Sequence, residues 1–137
     1  MTDSVQPIRD EPGSPPGVLI VEDEALVALY LEDTLDALGY RCCGVADSAD
    51  GALSLAASMR PALALVDIGL RGNRDGVAVA SELAELGVGV VFLTGSSDEE
   101  TLRRVETAGS HGFLSKPCSE SDIARALKLA LAAPAQQ

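Results

Sequence analysis

The sequence predicts an α/β fold in which one five-stranded parallel sheet carries helices on both faces, a doubly wound (βα)5 arrangement. Two observations lead to this prediction. Between residues 18 and 132, short apolar runs alternate with longer segments whose apolar residues recur at helical spacing. The connections are only a few residues long, which favours parallel strands linked through the intervening helices. Of the 137 residues, 47% are hydrophobic, enough for the core of one such domain.

The first half of the chain supplies three strands and two helices. In order, the predicted elements are a strand at Val18–Val21, a helix at about Ala25–Leu38, a strand at Tyr40–Val45, a helix at Ser48–Met59 and a strand at Ala62–Val66. The apolar run of the first strand is typical of strands covered on both faces. Gly39 predicts the end of the first helix, Ser48 is a suitable N-cap for the second, and Pro61 prevents that helix from continuing.

The second half repeats the alternation after a glycine-rich loop. The predicted elements are a helix at about Asp75–Leu86, a strand at Val88–Leu93, a helix at Ser97–Ala108, a strand at Gly112–Ser115 and a helix at Ser119–Ala132. Acidic residues at 98–100 favour a helix start there, because carboxylates are stabilised at the positive end of the helix dipole. Ser119 and Asp122 lie near the predicted start of the last helix.

These elements divide the chain into one domain with two short ends. Residues 1–17 contain four prolines and scattered charge, which predicts a flexible leader. The domain is expected to span residues 18–133, and residues 134–137 form a short tail. Because the sequence ends shortly after the last predicted helix, we expect a single-domain protein with no attached output domain.

The charge balance excludes several classes of function. Ten Lys plus Arg against 21 Asp plus Glu give a formal net charge of −11, so nucleic acid and anionic membrane surfaces would repel the chain. No apolar run approaches the roughly 18–20 residues that cross a bilayer, and the N-terminus does not resemble a secretory signal. The three cysteines, an odd number without metal-type spacing, are Cys42, Cys43 and Cys118. We therefore expect a reducing, cytoplasmic location.

Chemically capable side chains follow four of the predicted strands. They are Glu22, Asp23 and Glu24 after the first strand, Asp67 after the third, Thr94 after the fourth and Lys116 after the fifth. The carboxyl ends of parallel strands share one edge of a sheet, so these groups should meet there. Clustered carboxylates stay ionised only beside a cation, and oxygen ligands suit Mg²⁺. The ammonium of Lys116 and the hydroxyl of Thr94 could donate hydrogen bonds to an oxyanion beside these acids. The set therefore predicts phosphoryl transfer onto a carboxylate.

Four motifs in this order resemble the receiver domain of two-component response regulators. They are VLIVEDE at 18–24, ALVD at 64–67, FLTG at 92–95 and FLSKP at 113–117. Each motif alone is common, but their order and separation make the combination specific. Asp67 follows Asp23 by 44 residues, Thr94 follows Asp67 by 27 and Lys116 follows Thr94 by 22. The resemblance covers about Val18 to Ala132 and implies the flavodoxin-like fold of receivers.

The resemblance implies a role for each residue of the motifs. Asp67 is the expected phospho-acceptor, which attacks the phosphoryl group of a phosphohistidine on a partner protein. Mg²⁺ is expected to be held by Glu22, Asp23, Asp67 and the backbone carbonyl of Gly69. Three further residues respond to the phosphoryl group: Lys116 pairs with its oxygens, Thr94 moves toward it, and Phe113 turns inward at the aromatic switch position. The Lys116–Pro117 peptide bond is expected to be cis.

The resemblance also implies the partners. The phosphoryl donor is a sensor histidine kinase or a histidine phosphotransfer protein, and a downstream protein reads the switched surface unless the domain serves as a phosphate shuttle or sink. No nucleic acid or membrane partner is expected, and the chain should be a monomer or weak homodimer. Its only catalysis would be its own phosphorylation and dephosphorylation.

One loop departs from the family pattern, and two other functions stay open. Many receivers carry proline where Arg71 stands, and the loop at 68–76 is one residue longer before Asp75 and Gly76. The first alternative is a Mg²⁺-dependent phosphatase or phosphotransferase acting on small phosphoesters, which would place its nucleophile after the first strand as Asp-x-Asp. The second is an interaction module that works without phosphorylation, in which each acid could simply cap a helix.

Overall fold

The computed structural model describes residues 15–70, 76–95, 103 and 110–132, which form one parallel sheet flanked by helices. The strands are β1 (Gly17–Val21), β2 (Arg41–Ala46), β3 (Leu63–Asp67), β4 (Gly89–Thr94) and β5 (Gly112–Ser115). The helices are α1 (Ala25–Leu38), α2 (Ala49–Met59), α3 (Gly76–Glu85) and α4 (Glu120–Ala132). The strand order is β2-β1-β3-β4-β5, which confirms the predicted fold class. The predicted helix at Ser97–Ala108 lies outside the described residues apart from Arg103.

The element boundaries agree closely with the predicted ones. The bounds of α1 and β5 are the predicted ones, whereas β2 and β4 each begin and end one residue later. The physical reason is the hydrogen bonding of the parallel ladder. The Arg41 N–H donates to the Pro16 carbonyl and the Gly89 N–H donates to the Ala62 carbonyl, both at 3.0 Å. The shift in β4 places Thr94 inside the strand rather than after it.

The core consists of two apolar layers, one on each face of the sheet. On one face, α2 and α3 cover a buried layer that includes Leu19, Val66 and Phe92. On the other face, α1 and α4 cover a layer that includes Ile20 and Leu93. The strands β1, β3 and β4 are buried along their whole length, as expected for a sheet covered on both faces. Within the described ranges, no helix is both long enough and apolar enough to cross a membrane.

Three helix ends follow the sequence signals, including the end of α2 at Met59 before Pro61, but that last end carries backbone strain. Ser48 caps α2 as predicted, because its hydroxyl oxygen accepts a hydrogen bond from the Gly51 N–H at 3.1 Å. Gly39 ends α1 in the left-handed region with φ +87°. Arg60 ends α2 in the same left-handed region with φ +50°, although it carries a side chain. A residue with a Cβ is strained there, and glycine is not.

Replacing Arg60 with glycine is therefore expected to stabilise the fold by about 1 kcal/mol. Urea unfolding followed by circular dichroism measures this gain. The matched control is Gly39→Ala at the end of α1, where no described heavy atom lies within 4 Å of the added Cβ. That variant should lose a similar amount. A loss of stability in Arg60→Gly would show that the arginine side chain contributes more than its backbone strain costs.

Candidate functional site

The strand register brings the predicted site residues to one edge of the sheet. Val21 of β1 pairs with Val66 of β3. The next residues, Glu22 just after β1 and Asp67 at the end of β3, therefore lie side by side. The strands β1 and β3 are also the point at which the strand order reverses, where such sheets form a crevice beyond their carboxyl ends. The predicted site therefore coincides with the crevice that this topology creates.

Three carboxylates converge in this crevice. One carboxylate oxygen from each of Glu22, Asp23 and Asp67 lies within 4.8 Å of the others. Glu22 is 1% exposed and Asp67 is 7% exposed, while Asp23 is half-buried. Three carboxylate oxygens, one of them on the half-buried Asp23, match the needs of Mg²⁺, which takes a few carboxylates and keeps several waters. The donor set fits this ion.

Backbone amides fix the orientation of two of these acids. The Glu24 N–H donates to Glu22 Oε2 at 3.1 Å, and the Gly69 N–H donates to Asp67 Oδ1 at 3.0 Å. Each amide lies two residues after the acid whose oxygen it holds, so the turn that follows each strand orients the carboxylate at its end. The structure thus places Gly69 at the site.

Lys116 supplies the positive charge. Its Nζ lies 2.9 Å from Glu22 Oε1, 3.4 Å from Asp67 Oδ2 and 3.7 Å from Glu24 Oε1. Burial lowers the pKa of Lys116, but the hydrogen bond and ion pairs with Glu22 and Asp67 outweigh burial and hold that pKa above its ordinary value. Lys116 is therefore a cation in contact with the acids, and the Lys116–Pro117 peptide bond is cis, as predicted.

The surroundings of Glu22 raise the pKa of its carboxyl group. Burial raises its pKa, and the nearby charge of Asp67 acts in the same direction. The hydrogen bonds from Lys116 and from the Glu24 amide oppose this rise. A buried carboxylate of this kind is costly unless a cation is close, so the site is arranged to hold positive charge.

Thr94 and Phe113 lie on the same face of neighbouring strands. Thr94 is buried at the end of β4, and its carbonyl accepts a hydrogen bond from the Lys116 N–H at 2.7 Å. In the register of β4 and β5, Phe92 pairs with Phe113 and Thr94 pairs with Ser115. Because side chains alternate along a strand, Phe113 projects on the Thr94 side of the sheet. Phe113 is 44% exposed.

Sequence reasoning missed Gly76, which lies close against the backbone of Asp67 and Ile68. This residue begins α3, and its N–H donates to the Ile68 carbonyl at 3.3 Å. A Cβ at this position would lie 2.7 Å from Ile68 Cα and closer still to the Asp67 carbonyl oxygen. The available signal was a glycine at a predicted helix start, where a residue with a side chain is normally favoured.

Comparison with known proteins places the chain in a family. The family model of the response regulator receiver domain matches residues 18–128, and the chain therefore belongs to that family. This family serves two-component signalling.

Among curated proteins, the chain is 37% identical over 118 residues to the transcriptional regulatory protein PdtaR of Mycobacterium tuberculosis, covering 85% of this chain and 57% of that protein. It is 32% identical over 117 residues to the phyllosphere-induced regulator PhyR of Methylorubrum extorquens, covering 83% of this chain and 43% of that protein. The chain thus spans about half the length of these relatives.

Solved structures agree with this assignment. The signal receiver domain of a modulated diguanylate cyclase from Desulfovibrio desulfuricans is 41% identical, with a TM-score of 0.80 over 85% of this chain and 94% of that one. A CheY-like receiver domain protein from Methanospirillum hungatei is 25% identical, with a TM-score of 0.77 over 86% of this chain and 94% of that one.

Proposed function

We propose that Asp67 accepts a phosphoryl group from a phosphohistidine of a sensor histidine kinase or a histidine phosphotransfer protein. The observation that carries this proposal is the position of its carboxylate. Oδ2 lies 3.4 Å from the Lys116 ammonium, and the carboxylate is part of the three-acid cluster with Glu22 and Asp23. Membership of the receiver family supports the same assignment.

Mg²⁺ belongs to this proposal because the acids have the chemistry to hold it. The residues that would hold it are Glu22, Asp23, Asp67 and the backbone carbonyl of Gly69. When bound, the ion supplies positive charge that neutralises the acids and the incoming phosphoryl oxygens. Oxygen ligands of this kind select a hard divalent cation over zinc or copper.

The transfer step is a displacement at phosphorus. A carboxylate oxygen of Asp67 forms the new O–P bond while the N–P bond to the donor histidine breaks, and the electron pair of that bond stays on the imidazole nitrogen. The Gly69 amide holds Oδ1 at 3.0 Å and so limits rotation of the carboxylate before attack. Lys116 stabilises the charge on the phosphoryl oxygens.

Phosphorylation of Asp67 changes the charge next to Lys116 and Thr94. A carboxylate with one negative charge becomes an acyl phosphate with about two, so the ammonium and the hydroxyl are drawn toward the phosphoryl group. Displacement of Thr94 opens space on the side of the sheet where Phe113 projects, and Phe113 then turns inward. A partner protein reads the altered surface, or the phosphoryl group passes onward in a shuttle or sink.

The direct test uses Mg²⁺ and acetyl phosphate, followed by intact mass spectrometry. The wild-type chain should gain the mass of one phosphoryl group, and hydroxylamine should release it, as it does other acyl phosphates. Asp67→Ala should show no gain, whereas the control Asp33→Ala, at an exposed position on α1, should behave like the wild type. Omitting Mg²⁺ or adding EDTA should suppress the adduct.

The same experiment separates the other two functions. Steady turnover of small phosphoesters without an adduct would indicate a phosphatase. Neither adduct nor turnover, together with an intact fold, would indicate an interaction module that works without phosphorylation.

A further inference from the structure

The loop between β5 and α4 carries Lys116 and is held at both of its ends. At the first end, the Lys116 N–H donates to the Thr94 carbonyl at 2.7 Å. At the second end, Ser119 and Asp122 form a reciprocal pair: the Ser119 N–H donates to Asp122 Oδ2 and the Asp122 N–H donates to Ser119 Oγ, both at 3.1 Å. Between these points, a third contact joins the loop to the rest of the domain.

That third contact comes from Tyr30, 88 residues earlier in the chain. Its hydroxyl donates a hydrogen bond of 2.8 Å to the Cys118 carbonyl, two residues after Lys116. Tyr30 lines an apolar groove between α1 and the loop together with Val27 and Pro117, and it remains partly exposed. The helix that carries Tyr30 begins directly after Glu22–Glu24, so this bond joins the segment that carries the acids to the segment that carries the ammonium.

We propose that Tyr30 is a positioning residue for Lys116: its hydroxyl holds the loop after β5 against α1 and thereby sets where the ammonium lies relative to Glu22 and Asp67. The side chain of a lysine is long and flexible, so its contacts depend on where its backbone is held. Without the hydroxyl, the Cys118 carbonyl turns to water, and the ammonium spends less time against the acids.

The first measurement follows the order of the Lys116 side chain without any phosphoryl chemistry. The sequence contains two lysines, Lys116 and Lys128, so selective ¹³Cε labelling yields two resonances. At neutral pH, relaxation of the Lys116 signal should report an immobilised side chain in the wild type and a mobile one in Tyr30→Phe. Lys128 is exposed on α4 and provides an internal reference that should not change.

The second measurement is the rate of adduct formation with Mg²⁺ and acetyl phosphate, and its meaning rests on the proposed function. Tyr30→Phe should react about two- to tenfold more slowly, the range expected for loss of one neutral hydrogen bond. The matched control is Tyr40→Phe, because Tyr40 is the other tyrosine of the chain and packs against the core. Both measurements should be at wild-type values in that control.

The outcomes distinguish this inference from the proposed function. Unchanged Lys116 relaxation in Tyr30→Phe would overturn the inference, whatever the adduct does. If Lys116 is mobile in Tyr30→Phe but the adduct forms at the wild-type rate, Tyr30 has no part in the reaction. A mobile Lys116 in a protein that forms no adduct even as wild type would support the positioning contact while rejecting the proposed function. If Tyr30→Phe is less thermally stable but its Lys116 relaxation is unchanged, Tyr30 is only a structural residue and the inference is wrong.

Discussion

Replacing Gly76 with alanine is expected to lower the free energy of unfolding by about 3 kcal/mol, because the new methyl group meets backbone rather than a flexible side chain. The added Cβ would lie 2.7 Å from Ile68 Cα and closer still to the Asp67 carbonyl oxygen. Neither atom can move unless the end of β3 moves with it. The same displacement turns the Asp67 carboxylate, so formation of the phosphoryl adduct should slow in the folded fraction as well.

Urea unfolding and the acetyl phosphate assay measure the two effects of Gly76→Ala. The control is Gly87→Ala, at a position with φ +85° where no described heavy atom lies within 4 Å of the added Cβ. That variant tests backbone strain alone and should cost about 1 kcal/mol with normal adduct formation. If both variants lose the same stability and react at the same rate, close packing behind Asp67 is not the reason for the glycine.

Replacing Lys116 with methionine should destabilise the metal-free protein by about 2–3 kcal/mol at pH 7. Methionine keeps most of the length of the side chain but leaves Glu22 and Asp67 without the ammonium that they contact. Breaking one side of a buried ion pair typically costs about 3–5 kcal/mol. The value here should be smaller, because the Lys116 side chain is 20% exposed. Lys128→Met on the exposed face of α4 should change stability by less than about 0.5 kcal/mol.

The pH dependence of the Lys116→Met variant has a definite sign. Burial already raises the pKa of Glu22 above its ordinary value of 4.5, and removal of the ammonium raises that pKa further. A carboxyl with a raised pKa binds more protons in the folded state, so the stability deficit should shrink as the pH falls toward 4.5. In the wild type, Lys116 has the raised pKa of a paired lysine, so its stabilisation should be lost as the pH rises beyond 10.5.

Mg²⁺ should stabilise the Lys116→Met variant more than the wild type. In the wild type, the ammonium already neutralises part of the acidic charge of Glu22 and Asp67, whereas in the variant that ammonium is gone. A ligand that binds the folded state stabilises it in proportion to the logarithm of its concentration over its dissociation constant. Thermal unfolding at increasing Mg²⁺ measures this difference. Equal responses in both proteins would show that the ion does not bind at these acids.

The fold and most of the site follow from local sequence signals. Strands such as β1 and β3 could be predicted because a strand covered on both faces needs an uninterrupted apolar run. Asp23, Asp67, Thr94 and Lys116 could be placed at one edge because parallel strands all point the same way. The remaining features depend on contacts between distant segments. Gly76 and Tyr30 carry no motif of their own, and their positions matter only because of what they contact across the fold.

The alternation of strands and helices, and the acids and lysine at the strand ends, follow from local sequence, because burial, capping and strand direction act over a few residues. Which of these groups meet depends instead on contacts between distant segments. The strand order sets Glu22 beside Asp67, and the loop after β5 sets Lys116 closer to Glu22 than to Asp67. These distances result from packing among segments far apart in the chain, whose energies no short stretch of sequence contains.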